Sequence, residues 1–212
     1  MNQREDTAPL IQAMQTLISQ GLASGTAGNA SVRSGQGFLI TPTGVRPEDL
    51  KSEKLVYLNY EGKVINGDYL PSSEWQMHAK LYQHRPDINA LVHCHSRYAT
   101  SLACRHRDIP PFHYMVAVAG GNSIRCARYA LFGSEQLANT ALSAFEERYA
   151  CLLANHGQLA AGKNIGKALE LAIEVEQLSE IYHTALSTGD CKLLSEGDMH
   201  SVLKKFKSYG QL

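Results

Sequence analysis

The sequence predicts an α/β domain: a three-layer α/β/α sandwich on a mostly antiparallel central sheet, with helices on both faces. Three observations carry that expectation. Segments with a helical apolar period interleave with short β-rich runs. Several neighbouring runs are joined by turns too short for a parallel crossover. No Pro/Ser-rich linker or shift in composition divides the 212 residues, a length sufficient for one sizeable core, so one domain over 1–212 is expected.

The elements follow in chain order. Leu10, Met14, Leu17 and Ile18 recur at i, i+4, i+7 and i+8, so residues 7–20 read as an amphipathic helix ended by Gly21. The small-residue stretch GLASGTAGNASVR leads into a strand, and GFLITPTG adds another, closed by Pro42 and Gly44. KLVYLNYEGKVING has two β-rich arms around Glu61-Gly62 and reads as a hairpin. After LPSSEW the pattern turns helical to about Tyr82, with Ser73 and Gln76 spaced as a capping box. The strand ALVHCHS is followed by a short helix near 97–106 and by the irregular stretch IPPFHYMVAVAGGNSI. Ser134 is placed to cap a helix running to about Arg148. YACLLANHGQLAAG gives two short strands around Asn155-His156-Gly157. Residues 164–187 present Leu169, Ile173, Leu178, Ile181 and Tyr182 on one side of a long helix, and a last helix near 195–207 precedes SYGQL.

Composition narrows the function. Lys plus Arg and Asp plus Glu number 20 each, so the formal net charge is zero. Neither a nucleic acid nor an anionic membrane is implied as a partner, because both favour a concentrated positive field. No run approaches a membrane span of roughly 20 apolar residues. The start MNQREDTAPL lacks the basic head and apolar segment of a secretory signal, so a soluble, cytoplasmic protein is expected. Cys94, Cys104, Cys126, Cys151 and Cys191 are odd in number and lack a C-x-x-C pair, as reduced thiols would be.

The chemistry centres on ALVHCHS. Side chains alternate along a strand, so His93 and His95 share one face and Cys94 points to the other. Two imidazoles roughly 6 to 7 Å apart on one face suit a divalent cation, and equally suit a solvated polar face. A cation needs further donors. His156, in the turn LLANHGQL, is one candidate, although a lone turn histidine is often structural. Glu74, in the first helical turn after PSS, is another, although a carboxylate there also complements the helix dipole. His78, His84, His106, His113, His183 and His200 show no spacing that adds to the set and read as surface or structural residues. Ser72 and Ser73 at a helix start could cradle a phosphate beside unpaired N–H groups, and Thr43-Gly44 and Gly28-Asn29 are two further donor turns.

GTAGNASVR, LITPTG, LPSSEW, HCHS, HYMVAVAGGN and LLANHG, in that order and over essentially the whole chain, resemble the class II aldolase/adducin family, nearest to its bacterial branch that cleaves L-fuculose 1-phosphate. The resemblance implies a zinc ion, replaceable by Mn²⁺ or Co²⁺, on His93, His95 and His156. It implies that Glu74 completes the resting metal site and then acts as acid and base. Gly28, Asn29, Thr43, Gly44, Ser72 and Ser73 would take the substrate phosphate. Tyr114 and Tyr209 would reach the site from a neighbouring subunit of a homotetramer, for proton transfer and substrate stabilisation. The implied reaction is reversible cleavage of L-fuculose 1-phosphate, 5-deoxyribulose 1-phosphate or 5-methylthioribulose 1-phosphate to dihydroxyacetone phosphate and an aldehyde. A metal ion stabilises the enediolate without a Schiff base, and no lysine lies in these motifs.

Three other activities use the same scaffold. HSRYAT is epimerase-like, but a ribulose-phosphate 4-epimerase would carry aspartate in place of Glu74 and an acidic residue where this chain has MVAVAGG. A methylthioribulose-1-phosphate dehydratase would eliminate water on the same metal. An adducin-type binding module would have no need of three histidines and Glu74.

Overall fold

The computed structural model describes residues 7–206, so Tyr209 and the tail lie outside the described residues. The chain runs α1 (Thr7–Ser19), β1 (Asn29–Ser34), β2 (Gly37–Ile40), β3 (Val56–Asn59), β4 (Val64–Asn66), α2 (Trp75–His84) and β5 (Ala90–Cys94). It continues through α3 (Arg97–Ala103), a 3-10 turn (Tyr114–Ala119), β6 (Arg125–Ala127), α4 (Glu135–Ala144) and β7 (Ala150–Leu153). β8 (Gly157–Gly162), α5 (Ile165–Ser187) and α6 (Glu196–Phe206) complete it.

The eight strands form one sheet in the order β4-β3-β2-β1-β5-β8-β7-β6. The α/β class and the short antiparallel connections agree with the sequence, but the sheet is mixed. β6 pairs with β7 in parallel, because α4 lies between them in the chain and provides a crossover. Sequence reading missed β6, since three residues of a partly buried edge carry no period to detect.

Strand alternation separates two apolar cores. Ala90, Val92 and Cys94 pack with α1, α3 and α5. Leu91, between them, packs with α2 and α4 on the opposite face. His93 follows the parity of Leu91 and is directed to the α2 side. None of the helices among the described residues is long and apolar enough to cross a membrane.

Local chemistry explains the helix boundaries. Ser134 accepts from the Leu137 N–H at 3.1 Å, as its position suggested. α4 nevertheless stops at Ala144, short of Arg148. Glu147 takes a left-handed φ of +55°, and Arg148 turns away to the Ser123 carbonyl and the Asn122 amide oxygen. The helix expected near 97–106 is likewise shorter, at Arg97–Ala103. The capping box expected from Ser73 and Gln76 does not form. α2 begins at Trp75, and Ser72 Oγ accepts from the Glu74 N–H at 3.3 Å. That leaves Ser73 and Glu74 at the mouth of the helix.

α3 is capped from a distance. Ser96 makes no side-chain cap; instead Glu176, from the middle of α5, accepts the Tyr98 and Ala99 N–H groups at 2.9 Å each. Because α3 directly follows His95, this carboxylate also anchors the end of the histidine strand. Glu176→Ala is expected to cost about 1–2 kcal/mol of stability in a urea titration, the range for losing an N-terminal cap; an unchanged midpoint would remove Glu176 from that role.

Candidate metal and phosphate site

β5 lies between β1 and β8, and this register assembles the site. Asn29 sits opposite His93 on β1, while the turn carrying His156 joins β7 to β8. His95 lies just past the end of β5 and continues its alternation. Gly157 lets that turn come close: a Cβ there would enter the Cys94 carbonyl and lie 3.0 Å from the His95 ring. Gly28 is needed for a similar reason, since it has φ +82° and a Cβ would stand 2.8 Å from the His93 carbonyl.

The three imidazoles converge. Ring centroids are 4.8 Å apart for His93 and His95, 4.7 Å for His93 and His156, and 5.0 Å for His95 and His156. Ligand atoms of all three lie within 4.8 Å of one another. His93 Nδ1 is 2.8 Å from the Gln158 carbonyl and donates to it, which turns Nε2 toward the centre, where His95 Nε2 is 3.0 Å away. Glu74 enters from the residue just before α2, with Oε2 3.1 Å from His93 Nε2 and Oε1 3.2 Å from His156 Nε2.

This donor set fits a divalent cation. Glu74 Oε1 is a buried polar atom that, although 3.2 Å from His156 Nε2, makes no hydrogen bond among the described residues, and the inward-facing imidazole nitrogens are brought together with little else to satisfy them. Burial would raise the Glu74 carboxyl, yet His93, and after it His156 and Asn29, hold it far below the usual carboxylate range. Burial opposes charge on His93, but Glu74 beside it raises its basicity. Burial and the neighbouring His93 lower His95 and His156 to about 4 each, so both offer lone pairs at neutral pH. A cation here would be met by the imidazole nitrogens and by the negative charge of Glu74 together. Three imidazoles with an open side are the donor set of a catalytic zinc site, and Mn²⁺ or Co²⁺ can take the same nitrogen ligands.

A cavity of about 310 Å³ opens onto this cluster. Its wall includes Gly28, Asn29, Thr43, Gly44, Ser72, Ser73 and Glu74, so the three separate small-residue turns do meet. Among the described residues, no lysine or arginine lines it. An anion would be held there by hydroxyls, by backbone N–H groups and by the positive end of α2.

Several residues go beyond the sequence reading. Thr26, Tyr129, Phe132 and Asn155 also line the cavity, and Tyr129 and Phe132 are exposed aromatics for which neither spacing nor charge gave a signal. His78, read from the sequence as surface or structural, is fully buried directly behind Asn29. Tyr114 is not part of this cavity wall; it is half exposed at the start of its 3-10 turn. Tyr209 lies outside the described residues.

Comparison with known proteins agrees with this architecture. The sequence profile of the Class II Aldolase and Adducin N-terminal domain matches residues 8–183. The chain is 48% identical over 201 residues to a 5-methylthioribulose-1-phosphate/5-deoxyribulose-1-phosphate aldolase of Rhodospirillum rubrum, covering 95% of this chain and 90% of the relative. It is 46% identical over 202 residues to the L-fuculose phosphate aldolase of Escherichia coli, with 95% and 94% covered. A solved L-fuculose 1-phosphate aldolase superposes with a TM-score of 0.93 at 41% identity, covering 96% of each chain. The matched span, the identities and the shared fold place this chain in the class II aldolase and adducin family.

Proposed function

We propose that the protein is a zinc-dependent lyase that reversibly cleaves a deoxyketose 1-phosphate to dihydroxyacetone phosphate and an aldehyde. The observation that carries this reading is the convergence of His93, His95, His156 and Glu74 at the end of a cavity lined with phosphate-type donors. Relatives carrying the names L-fuculose phosphate aldolase and 5-methylthioribulose-1-phosphate/5-deoxyribulose-1-phosphate aldolase support the substrate class.

Residues of this chain divide the work. Ser72, Ser73, Thr43, Gly44, Gly28 and Asn29 hold the phosphate and so fix the distance from that anchor to the reacting carbons. His93, His95 and His156 hold the metal, which when bound supplies an electrophile for the ketose carbonyl and its neighbouring hydroxyl. Glu74, displaced by substrate, gives and takes the proton at the carbon that belongs to dihydroxyacetone phosphate. Tyr114, from a neighbouring copy in a homotetramer, exchanges the proton of the aldehyde oxygen, and Tyr209, also from a neighbouring copy, stabilises the substrate. Tyr129 and Phe132 add apolar surface to the same cavity.

An apolar wall distinguishes a methyl from a thiomethyl tail by only about 1–3 kcal/mol, so one site can accept several aldehydes. The test is a panel of L-fuculose, 5-deoxyribulose and 5-methylthioribulose 1-phosphates incubated with protein and Zn²⁺. Dihydroxyacetone phosphate should appear with at least one of them. Epimerisation or loss of water without that product would replace cleavage by a different reaction at the same cluster.

A further inference from the structure

Behind Glu74 lies a row of four buried side chains whose hydrogen bonds can run in only one direction. Asn29 Nδ2 is 3.0 Å from Glu74 Oε2, Asn29 Oδ1 is 2.7 Å from His78 Nε2, His78 Nδ1 is 2.6 Å from Ser31 Oγ, and Ser31 Oγ is 2.7 Å from the Tyr82 hydroxyl. Ser31 and His78 are wholly buried, Tyr82 almost so, and Asn29 is 4% exposed. The row connects two strand residues with two residues one helical turn apart on α2.

The direction follows from donor and acceptor chemistry. An ionised carboxylate only accepts, so Asn29 must present its N–H₂ to Glu74 and its carbonyl oxygen to His78. His78 Nε2 must then carry a hydrogen and donate it. Nδ1 is left as an acceptor, which obliges Ser31 to donate to it, and Tyr82 to donate to Ser31. Burial lowers His78 to about 3, with His93 acting the same way and Glu74 opposing, in keeping with a neutral ring. Burial likewise raises the Tyr82 phenol, which keeps its hydrogen.

We propose that His78, supported by Ser31 and Tyr82, is a positioning residue that locks the Asn29 amide with its N–H toward Glu74. A free amide could turn over and set its oxygen against the carboxylate. The lock prevents this and holds Glu74 in one orientation when substrate replaces it at the cluster. His78 thus acts on the proton transfer through Asn29 and touches no reacting atom. This deepens the aldolase reading and rests on it for its catalytic consequence.

Nitrogen NMR of ¹⁵N-histidine-labelled protein, prepared without added metal at neutral pH, reads the hydrogen positions directly. The expected His78 signals are a protonated Nε2 and an unprotonated Nδ1; a protonated Nδ1 would overturn the proposal. Release of dihydroxyacetone phosphate then reads the consequence. His78→Leu should lower kcat by about 10–100-fold, the usual effect of removing an outer partner of a metal site, with little change in KM. His78→Gln, whose amide N–H₂ reaches the position of Nε2, should recover most of kcat. Equal losses in the two variants, or a loss confined to KM, would overturn the positioning role. If His78→Leu does not fold, the NMR of the unaltered protein and the Gln variant still decide. A wild-type protein that releases no dihydroxyacetone phosphate from any of the three sugars would count against the aldolase reading, while the NMR result would stand or fall separately.

Discussion

Glu74→Gln should retain the metal and lose turnover by about 10²–10⁴-fold, the range for a positioned acid or base. The substitution preserves the shape of the side chain and leaves three imidazoles for the cation, but it removes the charge that accepts the proton. Glu74 is well suited to that role by its surroundings. It is 6% exposed, it lies between two cluster histidines at 3.1 and 3.2 Å, and Asn29 donates to it at 3.0 Å. Elemental analysis beside a kcat measurement checks both halves of the expectation. Unchanged turnover would remove Glu74 from the chemistry, and loss of metal together with turnover would make it chiefly a ligand.

Tyr114→Phe should lower kcat by a similar factor of about 10²–10³ while leaving the fold intact. The residue is half exposed, and surface substitutions ordinarily change stability by less than about 0.5 kcal/mol. A large kinetic loss without a stability loss would therefore point to a role in a neighbouring copy's site. Mixing gives a sharper version. If each site takes Glu74 from one chain and Tyr114 from another, unfolding and reassembling equal amounts of the two inactive variants should restore activity in about a quarter of the sites. No recovery on mixing would confine both residues to one chain's site or remove Tyr114 from the reaction.

The parts of this protein legible in its sequence are those governed by local periodicity. Alternation along ALVHCHS puts His93 and His95 on one face and Cys94 in the opposite core, and the Glu61-Gly62 turn gives its hairpin. The spacing in residues 164–187 gives the helix α5 but not its buried face, which is Ile165, Ala168, Ala172, Val175 and Leu178, while Ile181 is exposed; small alanines let α5 pack closely on the sheet where the larger side chains would not fit. Features set by tertiary contact were not legible in that way. Ser73 and Gln76 have the spacing of a capping box, but Ser72 takes the N–H that matters and the helix starts at Trp75. β6 exists because it pairs with β7, and three residues have no period of their own. The meeting of Gly28-Asn29, Thr43-Gly44 and Ser72-Ser73 around one cavity was implied by family resemblance alone, since nothing in their separations requires it. His78 illustrates the same limit: as one histidine among nine it carried no signal, although its place four residues after Glu74 on a helix put both on one face.

In the proposed reaction, His93, His95 and His156 hold the cation on which cleavage depends. The most direct test of that dependence is to strip the protein with a chelator, confirm by elemental analysis that no transition metal remains, and titrate Zn²⁺ back while following dihydroxyacetone phosphate release. The stripped protein should be inactive, and the rate should rise with zinc to a plateau at about one ion per chain. Full activity in the metal-free protein, or no activity at any zinc level with substrates that the untreated protein cleaves, would contradict that dependence.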